Sequence, residues 1–231
     1  MRVKKSVVPI VLGLLMTVGR AGRAQVGYPP AASPYRDLEH AQEFTLLVGQ
    51  FQAHKDPANV APQGGLLIGG HYEWRAGGPA YLIAELAHIS SNRRLINPTR
   101  FGTSRELGTE SRALYAANVG LGLGLTGAKT WHNLAPEVAG GVGIISDFHT
   151  PADTLGFKFG TRFALNLGAG IRYVPEGSWQ VRLDVNDRLY TIGYPDAYYV
   201  APAGGTAVAA LPKGSFWTNN PAFTFGISRL F

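Results

Sequence analysis

The segment Tyr81-Leu-Ile-Ala-Glu85-Leu-Ala-His88-Ile-Ser90-Ser-Asn92 holds the pair of residues best suited by type and spacing to nucleophilic chemistry. His88 and Ser90 stand two apart, so in an extended strand they share a face. A serine becomes a nucleophile when a base within hydrogen-bond reach takes its proton and an acid orients that base. Glu106 and Glu110 follow in the chain, and either is a candidate for the orienting acid. The plainer reading is two polar residues where a strand leaves an apolar environment. Gly122-Leu-Gly124-Leu-Thr-Gly127 has the G-x-G-x-x-G pattern, but a dinucleotide site needs that pattern to open a helix whose N-terminus holds the pyrophosphate. The six histidines show no metal-ligand spacing, and the absence of cysteine excludes thiol catalysis and Cys-based metal sites. No cofactor and no metal are expected.

The elements that must position these residues alternate with a period of two. From Phe157 to Tyr173, one face carries Phe157, Phe159, Thr161, Phe163, Leu165, Leu167, Ala169, Ile171 and Tyr173; the other carries Lys158, Gly160, Arg162, Ala164, Asn166, Gly168, Gly170 and Arg172. That is an apolar stripe opposite a small, polar and cationic one. Such a run is long for a soluble sandwich strand and suits a tilted strand that crosses a bilayer. Similar runs occupy roughly 42–54, 64–76, 79–93, 111–126, 131–147, 156–174, 178–193 and 215–231. Gly122 and Gly124 lie within one of them, which places them as small residues facing a crowded interior; Gly141, Gly143, Gly160, Gly168 and Gly170 are assigned the same role.

The connections between runs sort themselves. Long ones (54–63, 94–110, 148–155, 194–214) alternate with short ones (76–78, 127–130, 175–177). Transmembrane barrels keep short turns on one side and long loops on the other. The pattern predicts an all-β chain, an eight-stranded antiparallel up-and-down transmembrane β-barrel over 42–231.

The formal charge of +6 points at first to nucleic acid, but five of the 21 cationic residues lie in the first 24 positions. The remainder, sixteen against 15 acidic residues, is nearly balanced and leaves no basic patch, so nucleic acid is excluded as a partner. Those first residues have the grammar of a signal peptide: Arg2 to Lys5, an apolar run from Val7 to Val18, then Gly22-Arg23-Ala24. The apolar run is shorter than the roughly 20 residues of a spanning helix. Residues 1–24 are therefore expected to be cleaved after Ala24, and 25–41 to form a periplasmic lead-in.

Phe223-Thr-Phe225-Gly-Ile227-Ser-Arg229-Leu-Phe231 resembles the C-terminal signature of bacterial outer-membrane barrels, a terminal Phe preceded by apolar residues at alternate positions. The resemblance implies that Phe223, Phe225, Ile227 and Phe231 are read by the barrel-assembly machinery. The wider pattern is similar to the small barrels related to the OmpA transmembrane domain and OmpX, implying residence in the bacterial outer membrane in contact with lipopolysaccharide. Locally, His88-Ile-Ser90-Ser-Asn92 is similar to the His-x-Ser-Asn element of PagL-type lipid A deacylases. That likeness implies His88 as base, Ser90 as nucleophile and Glu106 or Glu110 as acid, although Ser91 is inserted and the acid's spacing is undetermined.

With eight strands the lumen is just wide enough to be filled by side chains. The faces assigned inward carry Glu73, Glu85, Glu137 and Asp184 beside Arg75, Lys158, Arg162, Arg172, Arg182 and Arg188, an expected ion network in which Glu85 and Glu137, outnumbered by their cationic neighbours, are the carboxylates expected to be costliest to remove. The expected role is structural or interactive, through the long loops; a lipid A hydrolase and a narrow passive pore are the alternatives.

Overall fold

The computed structural model describes residues 33–148, 157–210 and 212–231. The expected signal peptide and most of the expected lead-in lie outside them. From Tyr35 onward the described residues form strands β1 (Tyr35–Asp37), β2 (Gln42–Phe51), β3 (Gly65–Gly77), β4 (Ala80–Ile96), β5 (Glu106–Gly124), β6 (Lys129–Trp131), β7 (Leu134–Ser146), β8 (Thr161–Tyr173), β9 (Trp179–Gly193), β10 (Ser215–Thr218) and β11 (Pro221–Leu230). Eight of them close a ring in the order β2-β3-β4-β5-β7-β8-β9-β11, every neighbouring pair antiparallel. The seam runs from Leu230↔Glu43 to Ala222↔Phe51. At its foot Gln42 and Phe231 exchange two backbone hydrogen bonds of 3.0 Å. Closure removes the sheet edges that would otherwise recruit other chains.

Each strand divides its side chains between lumen and exterior. On β3, His71 and Glu73 are buried while Leu66, Ile68 and Trp74 are exposed; on β9, Arg182 and Asp184 are buried while Val181, Leu183 and Val185 are exposed. The exterior is a continuous apolar band, with Leu46 at 66% exposure and Leu86 at 68%. Such a band is what the outer face of a membrane-spanning barrel carries. Trp74, Trp131, Tyr173, Trp179 and Phe231 are exposed toward the end carrying the short turns. There Arg229, which interrupts the apolar stripe, stacks its guanidinium 5.1 Å from the Trp179 ring centre.

Glycines inside the ring give room to larger neighbours. A Cβ at Gly143 would lie 2.2 Å from Asn118 Oδ1 and 2.3 Å from the Ala117 carbonyl, and one at Gly170 would lie 2.2 Å from Asp184 Oδ1. Gly143→Val is therefore expected to block β5–β7 pairing. Loss of the folded band on an unboiled detergent gel checks this, with Gly140→Ala, whose Cβ would meet only ordinary contacts, as a control that keeps the band. Gly160 has a different reason. Its φ of +65° is left-handed backbone that glycine adopts without a Cβ clash, and it inverts the alternation. Phe157 and Phe159 thus point inward, each about 1% exposed, and Lys158 points out, opposite to the faces expected from period two. The run at 215–231 is also interrupted. Between β10 and β11, Asn220 is fully buried, donates its amide to the Arg188 and Thr218 carbonyls and accepts from His54 N.

The last part of the expected lead-in is itself built into the fold. β1 pairs with β6, Tyr35↔Trp131 to Asp37↔Lys129. Arg36 donates to the Val174 and Pro175 carbonyls, and Arg75 Nη1 donates to the Leu38 carbonyl at 2.6 Å. Residues 35–41 thus strap together the turns after β3, β5 and β8, with Leu38 packed on Ala135, Val174 and Leu230.

Candidate functional site: a filled barrel interior

Near the turn end, one guanidinium organises the lumen. Arg182 on β9 meets four carboxylates: Glu43 Oε1 at 3.2 Å, Glu73 Oε1 at 2.6 Å, Glu137 Oε1 at 2.5 Å and Asp184 Oδ2 at 2.8 Å. Arg172 on β8 reaches Glu43 and Glu73 at 3.2 Å and Glu137 at 2.9 Å, and lies 4.7 Å from the centre of the Tyr81 ring. All these charged side chains are nearly inaccessible. A buried charge is tolerable when it is paired and hydrogen-bonded, and five strands contribute to that pairing. Higher in the lumen, Arg188 hydrogen-bonds Glu85, which also accepts from Asn118 at 3.2 Å; Asn166 donates to Asn118 at 2.9 Å. His71 joins the two levels, with Nε2 2.7 Å from Glu73 and Nδ1 3.7 Å from Glu85.

Of the residues expected in this network, Glu73, Glu85, Glu137, Asp184, Arg172, Arg182 and Arg188 meet inside the barrel. Lys158 and Arg162 do not. Lys158 faces out because of Gly160, and Arg162 stays at the loop end, donating to the Phe159 and Lys158 carbonyls. Sequence reasoning missed Glu43 and His71. The signal was present: His71 precedes Glu73 by two on one face, and Glu43 precedes Thr45, whose hydroxyl donates to it at 2.9 Å.

Toward the loop end the lumen becomes apolar. Phe51, Leu67, Ile89, Leu114, Ile145, Tyr190 and Ile192 from the strands pack with Val60, Phe157, Phe159, Tyr198 and Ala209 from the connections. Asp56 pins this cap, its carboxylate accepting from Ala61 N at 3.0 Å and from the Tyr194 hydroxyl at 2.6 Å. Tyr194 stacks on Tyr198 with 5.5 Å between ring centres. Burial, then the bond to Asp56, raise the Tyr194 hydroxyl above its ordinary range, and burial pushes Tyr198 up to about 12. A phenol whose folded pKa is raised stabilises fully below its unfolded value of about 10 and loses that contribution as pH climbs through the folded one. The cap should therefore loosen between about pH 10 and 12, read as faster proteolysis of 195–213 while the barrel band persists; Tyr198→Phe removes part of that pH dependence and leaves the part that Tyr194 carries.

The hydrolase candidates lie elsewhere. Ser90 is exposed on the outer face of β4, flanked by Leu66 and Ala113, and His88 meets the Tyr115 ring edge-on at 5.2 Å. Among the described residues, no hydrogen bond joins Ser90, His88 and a carboxylate. Glu106 pairs with Ile96, six positions or about 20 Å further along the strand, and its carboxylate is held by Arg94 Nε at 2.7 Å. Glu110 is held by Arg112 at 2.6 Å. Gly122 and Gly124 lie in β5 and Gly127 in the following turn, so that motif opens no helix.

No family model and no curated protein matches the chain. Among solved structures it is similar to the outer membrane protein OprG from Pseudomonas aeruginosa, at 11% identity and a TM-score of 0.49 over 86% of this chain and 99% of that one. Neisserial surface protein A follows at 10% and 0.46, over 86% and 98%. The N-terminal β-barrel domain of P. aeruginosa OprF stands at 14% and 0.39, over 81% and 97%. The likeness is one of fold. At such identities it transfers no residue role, and the eight-stranded ring rests on its own strand pairing.

Proposed function

We propose that this chain is a bacterial outer-membrane barrel, exported through a signal peptide cleaved after Ala24, with a structural and interactive role. It stiffens the envelope and offers its loop cap as a recognition surface, with lipopolysaccharide against its outer rim and no ion flux through its lumen. The observation that carries this reading is the lumen, occupied by the paired charges around Arg182 at one level and by the Phe51–Tyr198 apolar cap at the next. The outward Phe223, Phe225, Ile227 and Phe231 are where the assembly machinery would read the last strand. The hydrolase alternative has one point in its favour: Ser90 and His88 face the lipid, where a lipid ester would meet them.

Pure protein in planar bilayers should give no discrete conductance, and steady channels would overturn the sealed lumen. In cells, the mature protein should begin at Gln25 and fractionate with the outer membrane. Lipid A mass spectra should be identical for wild type and Ser90→Ala; loss of an acyl chain only with wild type would establish the hydrolase instead.

A further inference from the structure

The two ends of the lumen are closed by unlike means. At the loop end the closure is an apolar cluster in which Phe51, Val60, Phe157, Phe159 and Tyr198 are almost wholly buried. At the turn end the cover is the strap, and it is held far more lightly. Tyr35, Asp37, Glu39 and Ala41 are exposed, and the apolar side chain seated on the ring is Leu38, itself half-buried against Ala135, Val174 and Leu230. Among the described residues β1 pairs only with β6, another strand of three residues, and a two-stranded ribbon is marginal by itself. The ring strands pair on both sides, β2 with β3 from Gln42 to Phe51 and with β11 from Glu43 to Phe51.

The strap's other bonds run to turns and strand ends. Leu38 N donates to the Ala128 carbonyl at 3.0 Å, Arg36 to the Val174 and Pro175 carbonyls, and Arg75 Nη1 to the Leu38 carbonyl at 2.6 Å. None belongs to the ladders that close the ring, so all can break with the eight strands still paired. Few apolar contacts and exposed hydrogen bonds mark the segments that open locally, far below the cost of global unfolding. Ala41 is fixed separately, its carbonyl accepting from Arg75 N at 2.8 Å, which leaves Glu39 and His40 as the hinge. Behind the strap lies a cavity of about 320 Å³, walled on the ring side by Glu43, Glu73, Arg172 and Gln180. The strap is its outer wall, so release of the strap opens the lower charge cluster to the turn side.

We propose that residues 35–41 are a hinged cover over the turn-end mouth, swinging on Glu39 and His40, that opens and recloses while the ring stays folded. The lower lumen is thereby gated from the turn side, whereas the apolar cluster at the loop end stays shut. The cover acts on its own bonds and works whatever the loops recognise.

The test reads thiol access in the mature protein folded in detergent, using the chain's lack of native cysteine. Ala135, 1% exposed, lies under Leu38, and Ala116, 4% exposed, lies in the loop-end cluster. With N-ethylmaleimide, Ala135→Cys should react about a hundredfold faster than Ala116→Cys, yet slower than Ala201→Cys at an exposed position. Arg36→Gln, which removes the charge-assisted bonds to the Val174 and Pro175 carbonyls, should speed the Ala135→Cys reaction about tenfold with the unboiled band intact. Hydrogen exchange of the wild-type chain supplies an arm free of substitutions: the Leu38 amide should exchange about a hundredfold faster than those of Leu47 and Val48 in β2. Equal rates for Ala135→Cys and Ala116→Cys, a rate for Ala135→Cys as high as for Ala201→Cys, or no response to Arg36→Gln overturns the proposal, as does a Leu38 amide as protected as β2.

Discussion

Replacing Arg182 with methionine should lower barrel stability in urea by about 3–5 kcal/mol, the cost of leaving buried charges without their partner. The expectation is strong because the loss is not confined to one pair. Glu43, Glu73, Glu137 and Asp184 all turn an oxygen toward that guanidinium, and Arg172 is left alone to neutralise three of them. Methionine preserves much of the volume, so packing loss contributes little. Lys158→Met, at an exposed position, should shift the midpoint very little, as surface charge substitutions usually do. Equal midpoints for Arg182→Met and wild type would mean the lumen is wet enough to solvate the carboxylates.

The carboxylates should rank by the partners they lose. Glu73 contacts Arg172, Arg182 and His71, whereas Glu137 contacts the two arginines only. Glu73→Gln is therefore expected to cost more than Glu137→Gln, in place of the ranking from sequence that put Glu85 and Glu137 first, with Glu85→Gln, which weakens the bond to Arg188, near the latter. Combining Glu73→Gln with Arg182→Met should cost less than the sum of the two, since each removes part of the other's penalty.

Period two made the barrel legible. A residue and its second neighbour share a face wherever pairing is regular, so the inward charges of β3, β4, β7 and β9 could be named from sequence. The reading failed where backbone left that regime. Gly160 reverses the faces of Phe157, Lys158 and Phe159 by adopting a positive φ, and glycine carries no side chain to signal it. The strap was hidden for another reason: β1 is three residues long, too short for any periodicity, and its bonds run to carbonyls of distant turns. His71 was passed over because a metal site was sought among the histidines, whereas its role follows from the carboxylate two positions on. Whether Ser90 had an acid depended on where Arg94 and Arg112 would hold Glu106 and Glu110, which spacing alone does not encode.

The apolar cap should open separately from the charges beneath it. Tyr198 is about 1% exposed and packs against Phe157 and Tyr194, so Tyr198→Ala removes a large buried ring, a change that typically costs about 3–5 kcal/mol. The penalty falls mainly on the connection from 194 to 214, because the ring's strands keep their hydrogen bonds. Cleavage that proceeds through local opening follows the open population, so proteolysis within 195–213 should accelerate by about a hundredfold or more with the unboiled band still present. Conductance should remain at baseline, because Arg172 and Arg182 with their carboxylates still fill the lumen near the turn end. Channels appearing with Tyr198→Ala would show that the cap alone seals the barrel, and unchanged proteolysis would show that the 194–214 connection is held by something other than its buried rings.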